Sequence, residues 1–599
     1  MRLTVLHEIP EDPNLSEAWN TLVLAMDTPE VFLTYQWALA ASRGFQQKLS
    51  TRLFLVHSDD EQLIGVAALA IDPKAPRAAF FLTSSTADYC DIVSAPSDRK
   101  AVLLALLEEV QKLGLSDLVL ANVPANSATL KELPSVAGSR HFYVASRTSY
   151  NCGMVHLGGE EERETLLRSL ANKTREKRAL KKLTTLGEVK VIHLTDPDQI
   201  GVSVESIVST QISRFLASDR VSPLVGPERR KFLSQLSELL SETGWLKISQ
   251  LEIDGRPVAW NFGFRFGGSW FWYLPTFQPE FEHVSPGSCL LRLLVEEGAR
   301  DTSLRWLDLG LGDEPYKERY INNVRQTRYV HLSHGVGRHL SNLGRQMLNV
   351  GVTRFPAVGS KLRDARTFYQ SVAREMRESG FTGTARQSAR WAVKLVASTD
   401  EVLFFEASEA SEASEASEVQ APSASALQLL PLTREHLVEA SISSAGDEKT
   451  LSYLMRCARR LKQTGARGFF LQNDEGRPVH FLWIAACDGF RLAEIDHTLD
   501  LSPPNAVMIF DCWTPIAHRG RGYYAAAIRL AATQSQREGH NPWIFGAAKN
   551  LPSLRGILKA GFIYRYSLIR RTRLKHSSVT RRDITQVIVP SLANSVQAA

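Results

Sequence analysis

Apolar residues along this chain come in short runs punctuated by Gly, Pro, Asp and Asn, the pattern of strands joined by tight turns. Leu53 to Val56 and Leu63 to Ile71 flank the polar Ser58-Asp59-Asp60-Glu61 and read as strand, turn, strand. Phe80-Phe81-Leu82 and Ala87-Asp88-Tyr89-Cys90-Asp91-Ile92-Val93 follow, then a helical stretch from about Asp98 to Leu113 and a strand at Asp117 to Ala121. With Trp19, Phe32, Tyr35 and Trp37 as core anchors, residues 1–150 read as one α/β unit, and no residue set in it reads as catalytic.

A second pattern is clearer and occurs twice. Leu246 to Ile253, the turn Asp254-Gly255, Pro257 to Phe266, the turn Gly267-Gly268 and Ser269 to Leu274 form a strand meander. Gly468 to Gln472, Glu475-Gly476, Pro478 to Ala486, Asp488-Gly489 and Phe490 to Leu499 repeat that order. Even the turn spelling recurs, as Asp254-Gly255-Arg256-Pro257-Val258 and Glu475-Gly476-Arg477-Pro478-Val479. Each meander leads into a Gly-bearing turn and a helix, at Ser285-Pro286-Gly287 and at Arg519 to Gly522. The spacing from meander glycine to turn glycine is 32 residues in the first and 46 in the second, which places about 14 extra residues around Ser502-Pro503-Pro504. One α/β fold, a mixed central sheet flanked by helices, is therefore expected at least twice.

Charge and composition divide the rest. Glu160 to Leu186 has helical periodicity, and Lys173, Arg175, Lys177, Arg178, Lys181 and Lys182 crowd its middle against Glu176 alone. Between Val336 and Thr399 eleven Lys/Arg stand against three acids, more excess than the whole chain's +6. These basic helical segments could meet an anionic membrane surface, a synthase partner or a polyanion, although a solvated helical face explains them as simply. Interleaved aromatics and groove-reading motifs are missing, so nucleic acid is not expected. Glu406 to Ser417 is a run of Glu-Ala-Ser units followed by Pro422, with too few large apolar residues for a core. The expected division is 1–150, 151–335, a basic helical segment 336–399, a disordered linker 400–426, a C-terminal domain 427–575 and a tail 576–599. The six cysteines show no paired spacing and the N-terminus no secretory pattern, which suits a reducing cytoplasm without a disulfide framework or a metal site.

The chemistry concentrates near the C-terminus. Val507 to Trp513 is an apolar strand, followed by Pro515, Arg519-Gly520-Arg521-Gly522-Tyr523-Tyr524 and a helix-forming run from Ala525 to Thr533. Glycines there let backbone N–H groups reach a ligand, and a helix N-terminus favours an anion such as a pyrophosphate. Arg519-x-x-Gly522 after that strand, then Asn550 and Ser553 to Phe562, resembles the GNAT acetyltransferase family over the last quarter of the chain. The resemblance implies acetyl-CoA as co-substrate, held by Trp513, Arg519, Gly520, Arg521, Gly522, Tyr523, Asn550 and Ser553, and a small-molecule amine as acceptor. Tyr524 stands where the loop carries a small residue and is expected to crowd the cofactor. Ile557 stands where many members place the tyrosine that protonates the departing thiolate.

A lysine-like amine costs roughly 4–5 kcal/mol to deprotonate at pH 7, an α-amine only about 1 kcal/mol, so the acceptor decides whether a base is needed. Candidates are Glu494 and Asp496 on the third meander strand, sharing one face, and Asp511 on the cofactor strand, with His497 and His518 behind them. In the first half, Phe277, Ser285-Pro286-Gly287 and Trp306-Leu307-Asp308-Leu309-Gly310-Leu311-Gly312-Asp313-Glu314-Pro315-Tyr316-Lys317 resemble the acetyltransferase-like family of cellulose and exopolysaccharide synthesis, itself similar to Fem-type transferases of two GNAT-like halves. That resemblance implies tandem GNAT-like halves at 1–150 and 151–335, with Gly287, Asp308, Asp313, Tyr316 and Lys317 at a substrate site. A turn held by internal ion pairs accounts for Asp308, Asp313 and Lys317 equally well.

Overall fold

Runs of alternating apolar residues build two extended mixed sheets flanked by helices in the computed structural model, which describes residues 1–172, 174–312, 314–335, 337, 339, 397–408, 427–499, 503–573 and 576–583. The chain divides into two compact units, Met1–Arg214 with Ser222–Arg354 and Phe215–Val221 with Phe355–Ala599.

The N-terminal unit carries β1 (Arg2–Leu6), β2 (Ser50–His57), β3 (Leu63–Ile71), β4 (Ala78–Phe81), β5 (Asp117–Pro124), β6 (Phe142–His156), β7 (Val189–Leu194), β8 (Leu246–Ile253), β9 (Arg256–Phe266), β10 (Ser269–Phe277), β11 (Trp306–Leu311) and β12 (Asn323–His334). They form one 12-stranded sheet in the order β1-β2-β3-β4-β5-β12-β6-β11-β10-β9-β8-β7. Two copies of one motif lie in it. In each, an antiparallel meander leads through a helix (Arg99–Lys112 or Pro286–Arg300) to a strand parallel to the last meander strand, β4 with β5 and β10 with β11. The final strands are exchanged: β12 enters between β5 and β6, and β6 between β11 and β12. The expected boundary at 150/151 therefore falls inside β6, whose Cys152 and Met154 pair with both β11 and β12. Trp19, Phe32, Tyr35 and Trp37 are all at most 5% exposed, as their apolar context predicts.

The C-terminal unit carries β13 (Ala397–Ala407), β14 (Gln428–Pro431), β15 (Ala466–Gln472), β16 (Pro478–Ala486), β17 (Arg491–Leu492), β18 (His497–Thr498), β19 (Ala506–Trp513), β20 (Asn541–Ala547), β21 (Phe562–Arg573) and β22 (His576–Asp583). Its sheet runs β14-β15-β16-β19-β20-β13-β21-β22, a third copy of the motif with β19 parallel to β20. Three expectations are corrected here. Residues 397–407, given to the basic segment and the linker, are a strand paired on both sides, because Val402-Leu403-Phe404-Phe405 supplies apolar residues for both faces of the sheet. The tail begins not at 576 but after β22, which pairs with β21. The third meander strand is β19 and not Phe490 to Leu499, which instead holds the separate small hairpin β17–β18. The insertion therefore lies between β16 and β19, and Leu492, Ile495 and Leu499 pack it against Phe404 and Met508. The expected basic segment and Glu-Ala-Ser run lie otherwise outside the described residues.

Candidate active site

The cradle read from the sequence is built by the divergence of two strands. β19 and β20 pair only from Ala506–Asn541 to Ile509–Ile544, so Phe510 to Trp513 continues without its neighbour. On its other side β19 shifts register against β16 between Phe510 and Trp513, and Asp511 takes a left-handed φ of 47°. Such a bulge bends a strand and ends its pairing, which here leaves a gap in the sheet.

Pro515 and the turn Ile516–His518 then carry the chain to the glycines. Gly520 and Gly522 have φ of 78° and 80°, and a Cβ at either would meet nothing within 4 Å. The helix Tyr523–Arg537 starts on Gly522, which gives no side-chain cap. The N–H groups of Gly520, Arg521, Gly522, Tyr523 and Tyr524 have no acceptor among the described residues. A row of exposed amides with open space beside them fits a pyrophosphate, since the helix N-terminus adds partial positive charge.

The loop is anchored from behind. Trp513 stacks on Tyr453 at 5.4 Å and 13°, and its Nε1 donates to Thr450 Oγ1 at 3.1 Å. Thr450 is in turn fixed by Asp447 through its N–H at 3.0 Å and its hydroxyl at 2.6 Å. The Arg519 guanidinium lies 5.1 Å from the Trp513 ring centre, while its Nε donates to the Thr514 carbonyl at 3.0 Å. Arg519 thus shapes the loop, and Arg521, on the exposed turn, is the cation with freedom to meet a ligand.

Tyr524 does not crowd this space. Its hydroxyl meets Ser553 Oγ at 2.9 Å, and its ring packs so closely on Gly556 that a Cβ there would fall 2.4 Å from it. Burial raises its pKa. Ser553 is accordingly engaged with Tyr524, and Asn550 caps the helix Leu551–Lys559 by accepting from the Ser553 N–H at 3.4 Å. Ile557 is fully buried in the core, so the tyrosine position of the resemblance holds only an apolar side chain.

None of the expected bases is a free carboxylate facing the loop. Glu494 is exposed in the β17–β18 turn, and Asp496 in the same turn has φ 47° and an ion pair to Arg491 at 2.8 Å that holds its pKa down. The strand alternation expected for these two therefore does not exist. Asp511 is locked to Arg460 at 2.6 Å, and Arg460 lies over the Trp483 and Phe510 rings. A residue that sequence reasoning passed over lies next to the loop instead. His480 on β16 is fully buried, its Nδ1 is 2.8 Å from Thr514 Oγ1, its Nε2 has no partner, and burial pushes its pKa down to about 3. It is a neutral imidazole at any physiological pH. A histidine inside the apolar run Val479 to Ile484 was the available signal.

The N-terminal residues gather at the corresponding divergence of β10 and β11, which pair only from Ser269–Trp306 to Phe271–Asp308. Asp308 is 1% exposed; it accepts Tyr89 Oη at 2.8 Å and the Gly310 N–H at 2.8 Å. Arg325 stands 3.8 Å from Asp308, lies 4.7 Å from the Tyr89 ring centre and pairs with the buried Glu30. Burial, more than neighbouring acids, raises Glu30 to about 7 and also raises Asp308. Lys317 is turned inward to the Leu311 carbonyl at 2.9 Å and Glu314 at 2.7 Å, which is the turn held by internal pairs. Tyr316 Oη accepts from Trp272 Nε1 at 3.2 Å. Asp313 lies outside the described residues. Gly287 differs from Gly522: Phe277 lies 3.3 Å from its Cβ position, and the preceding Pro286 has no N–H. Tyr89, Glu30 and Arg325 were not found from sequence, because they come together from segments about 200 to 300 residues apart.

Among the described residues no cluster of His, Cys, Asp or Glu could hold a metal ion, and no helix is long and apolar enough to cross a membrane. No curated protein matches the chain. Among solved structures, the chain is similar to a conserved protein of unknown function from Bacteroides thetaiotaomicron, at 13% identity over 53% of this chain and 97% of that one with a TM-score of 0.39. FemX aligns at 11% identity over 57% and 99% with a TM-score of 0.40. A tandem GNAT protein from the clavulanic acid biosynthesis pathway aligns at 12% over 56% and 99% with a TM-score of 0.33. Residues 172–318 match the family model described as an acetyltransferase (GNAT) domain, so a GNAT acyltransferase-type fold lies in the second half of the N-terminal unit.

Proposed function

We propose that the chain is a CoA-dependent N-acyltransferase that moves an acetyl group from acetyl-CoA to a small-molecule amine. The observation that carries this reading is the row of unpartnered amides from Gly520 to Tyr524 beside open space. Bound there, acetyl-CoA would supply an activated acetyl group as its thioester. Gly520, Arg521, Gly522 and Tyr523 would bind the diphosphate, each charge-assisted bond contributing about 1.5–3 kcal/mol. The edge of Phe510 to Trp513 that β20 leaves uncovered would orient the pantetheine arm through its backbone groups, and buried His480 holds Thr514, which leads into the loop. With Asp511 and Asp496 committed to arginines, an acceptor of pKa near 8, already part neutral at pH 7, suits the C-terminal unit best. The resemblance of residues 1–335 supports an amino-sugar or related envelope precursor in that role. The exposed Lys177, Arg178, Lys181 and Lys182 on helix Thr174–Thr184 would meet an anionic membrane surface or a synthase.

A Fem-like transferase working from the N-terminal unit is the second reading, favoured by the position of the family match at 172–318. Thermal-shift titration of the full chain with acetyl-CoA, followed by CoA release over a panel of amines, tests the first. Wild type should be stabilised and active and Gly522→Glu neither; equal behaviour of both removes the loop from the mechanism.

A further inference from the structure

One helix grips the end of β19 where that strand runs past β20. The helix is Glu448–Arg460, and the grip begins at its capping residue Asp447, whose Oδ2 accepts the Ile516 N–H at 3.4 Å. Thr450 Oγ1 accepts Trp513 Nε1 at 3.1 Å. One turn further, Tyr453 stacks on Trp513 while its hydroxyl donates to the Asp511 carbonyl at 2.7 Å. Arg460 closes the row on the Asp511 carboxylate at 2.6 Å. Every one of these contacts falls between Asp511 and Ile516, the stretch that joins the uncovered strand edge to the glycine turn.

Within that stretch Asp511 is the residue under strain. Phe510 faces Trp483 and Trp513 faces Phe481, so Asp511 and Cys512 together stand opposite Leu482 alone. The extra residue makes a bulge whose first member sits at φ 47°, a conformation that glycine adopts freely and an L side chain resists. Aspartate is tolerated there better than most residues, yet a glycine would need no support at all. What aspartate adds is a carboxylate. Arg460 holds that group, and Tyr453 holds the carbonyl of the same residue, so side chain and main chain of Asp511 are both fixed from one helix. The guanidinium is in turn steered by two rings, 4.9 Å from the centre of Trp483 and 5.1 Å from that of Phe510.

We propose that Arg460 is a positioning residue for the acyl donor: by holding Asp511 in its left-handed bulge it keeps the β19 edge turned toward the pantetheine arm. The proposal rests on the reading of the C-terminal loop as an acetyl-CoA site and adds the device that holds the strand edge in place. Arg460 acts through Asp511 and takes no part in the chemistry. Without the guanidinium nothing holds the carboxylate, and relaxation of Asp511 to a negative φ turns the backbone groups of Asp511 and Cys512 away from their present directions. The amides from Gly520 to Tyr524 lie beyond this pair on another stretch of chain. The donor should therefore feel the change along its arm and not at its diphosphate.

The test is titration calorimetry of the full chain with acetyl-CoA, alone and in competition with ADP, which carries a diphosphate without the arm. Arg460→Met keeps an apolar stem against the two rings and removes the charge. It should weaken acetyl-CoA about tenfold, which is about 1.4 kcal/mol and of the size that a left-handed L residue costs, while ADP competes as in wild type. Adding Asp511→Gly to Arg460→Met should bring acetyl-CoA back to within about threefold of wild type, because glycine takes this φ unaided. A general loss of folding predicts the opposite, since a second substitution would deepen it and lower the melting temperature further. Wild-type affinity in Arg460→Met, an equal loss for ADP, or a loss that Asp511→Gly leaves unrepaired overturns the proposal and leaves the donor site standing. Failure of wild type to bind acetyl-CoA, or of ADP to compete with it, overturns the donor site itself and the proposal with it.

Discussion

Cutting the chain at the Glu-Ala-Ser run should not release a folded C-terminal domain, because the cut removes β13. This strand lies between β20 and β21, and without it the sheet falls into two pieces with two unpaired edges. Val402, Leu403, Phe404 and Phe405 are 1%, 6%, 0% and 2% exposed. Leu403 and Phe405 pack with Ile544 and Phe562 on one face, Val402 and Phe404 with Met508, Trp543 and Leu568 on the other. Phe404 also stacks on Tyr566 at 4.7 Å. At about 1.5–3 kcal/mol for each buried side chain, the four together supply roughly 6–12 kcal/mol, as much as a whole domain's usual net stability. A fragment of residues 397–599 should therefore melt cooperatively by circular dichroism, and one of residues 427–599 should not. A synthetic peptide of residues 397–408 should restore the transition to the shorter fragment. If residues 427–599 alone melt cooperatively within a few degrees of the longer fragment, β13 is an ornament and the packing argument fails.

The other expectations are briefer. Gly522→Glu sets a strain of about 1–2 kcal/mol against a helix-dipole gain of about 0.3–1 kcal/mol, so its melting temperature should barely move, while loss of two phosphate contacts weakens acetyl-CoA at least about a hundredfold by titration calorimetry. Gly556→Ala drives a methyl into the Tyr524 ring; it should cost about 1–3 kcal/mol in denaturant unfolding and lower acetyl-CoA affinity as the ring moves toward the loop. Tyr89→Phe leaves Asp308 short of a donor in the core and should cost about 1–3 kcal/mol in the N-terminal unit. The two units should answer pH in opposite directions when the full chain is followed by calorimetry. Glu30 keeps its proton when folded up to about 7, against 4.5 when unfolded, so N-terminal stability is lost as pH rises through that window, on the order of 3 kcal/mol, and Glu30→Gln should flatten the loss. His480 stays neutral down to about 3 when folded, against 6.5 when unfolded, so C-terminal stability is lost as pH falls below 6.5, and His480→Gln should remove that dependence.

Local pattern carried the meanders, because a strand, a Gly turn and a strand are spelled by neighbours, and Gly255 and Gly476 do turn at φ 76° and 77°. The cradle was legible for the same reason: its glycines, its helix and its strand are contiguous. What failed needed partners distant in sequence. Val402 to Phe405 is a strand only because β20 and β21 lie either side of it, and its neighbouring Glu-Ala-Ser run masked it. Glu494 and Asp496 looked like alternating strand residues, but their hairpin is an insertion that β16 skips when it pairs with β19. Tyr524 looked obstructive because nothing in a one-dimensional reading shows that Gly556 makes room for its ring.

Three copies of one strand order, each with a foreign strand inserted before its last, invite the conclusion that all three do the same work, and the side chains argue against it. The C-terminal copy starts its helix on an open glycine turn, whereas at the equivalent helix start after β10 Pro286 removes an N–H and Phe277 covers Gly287. Only the middle copy puts Asp308 where the C-terminal copy has Ile544, and lets Asp88 in beside Gly310. A diphosphate needs unpaired amides and excludes carboxylates. The same gap between parting strands therefore presents unpaired amides in the C-terminal copy and a buried carboxylate in the middle one, so the function proposed for the first does not carry over to the second.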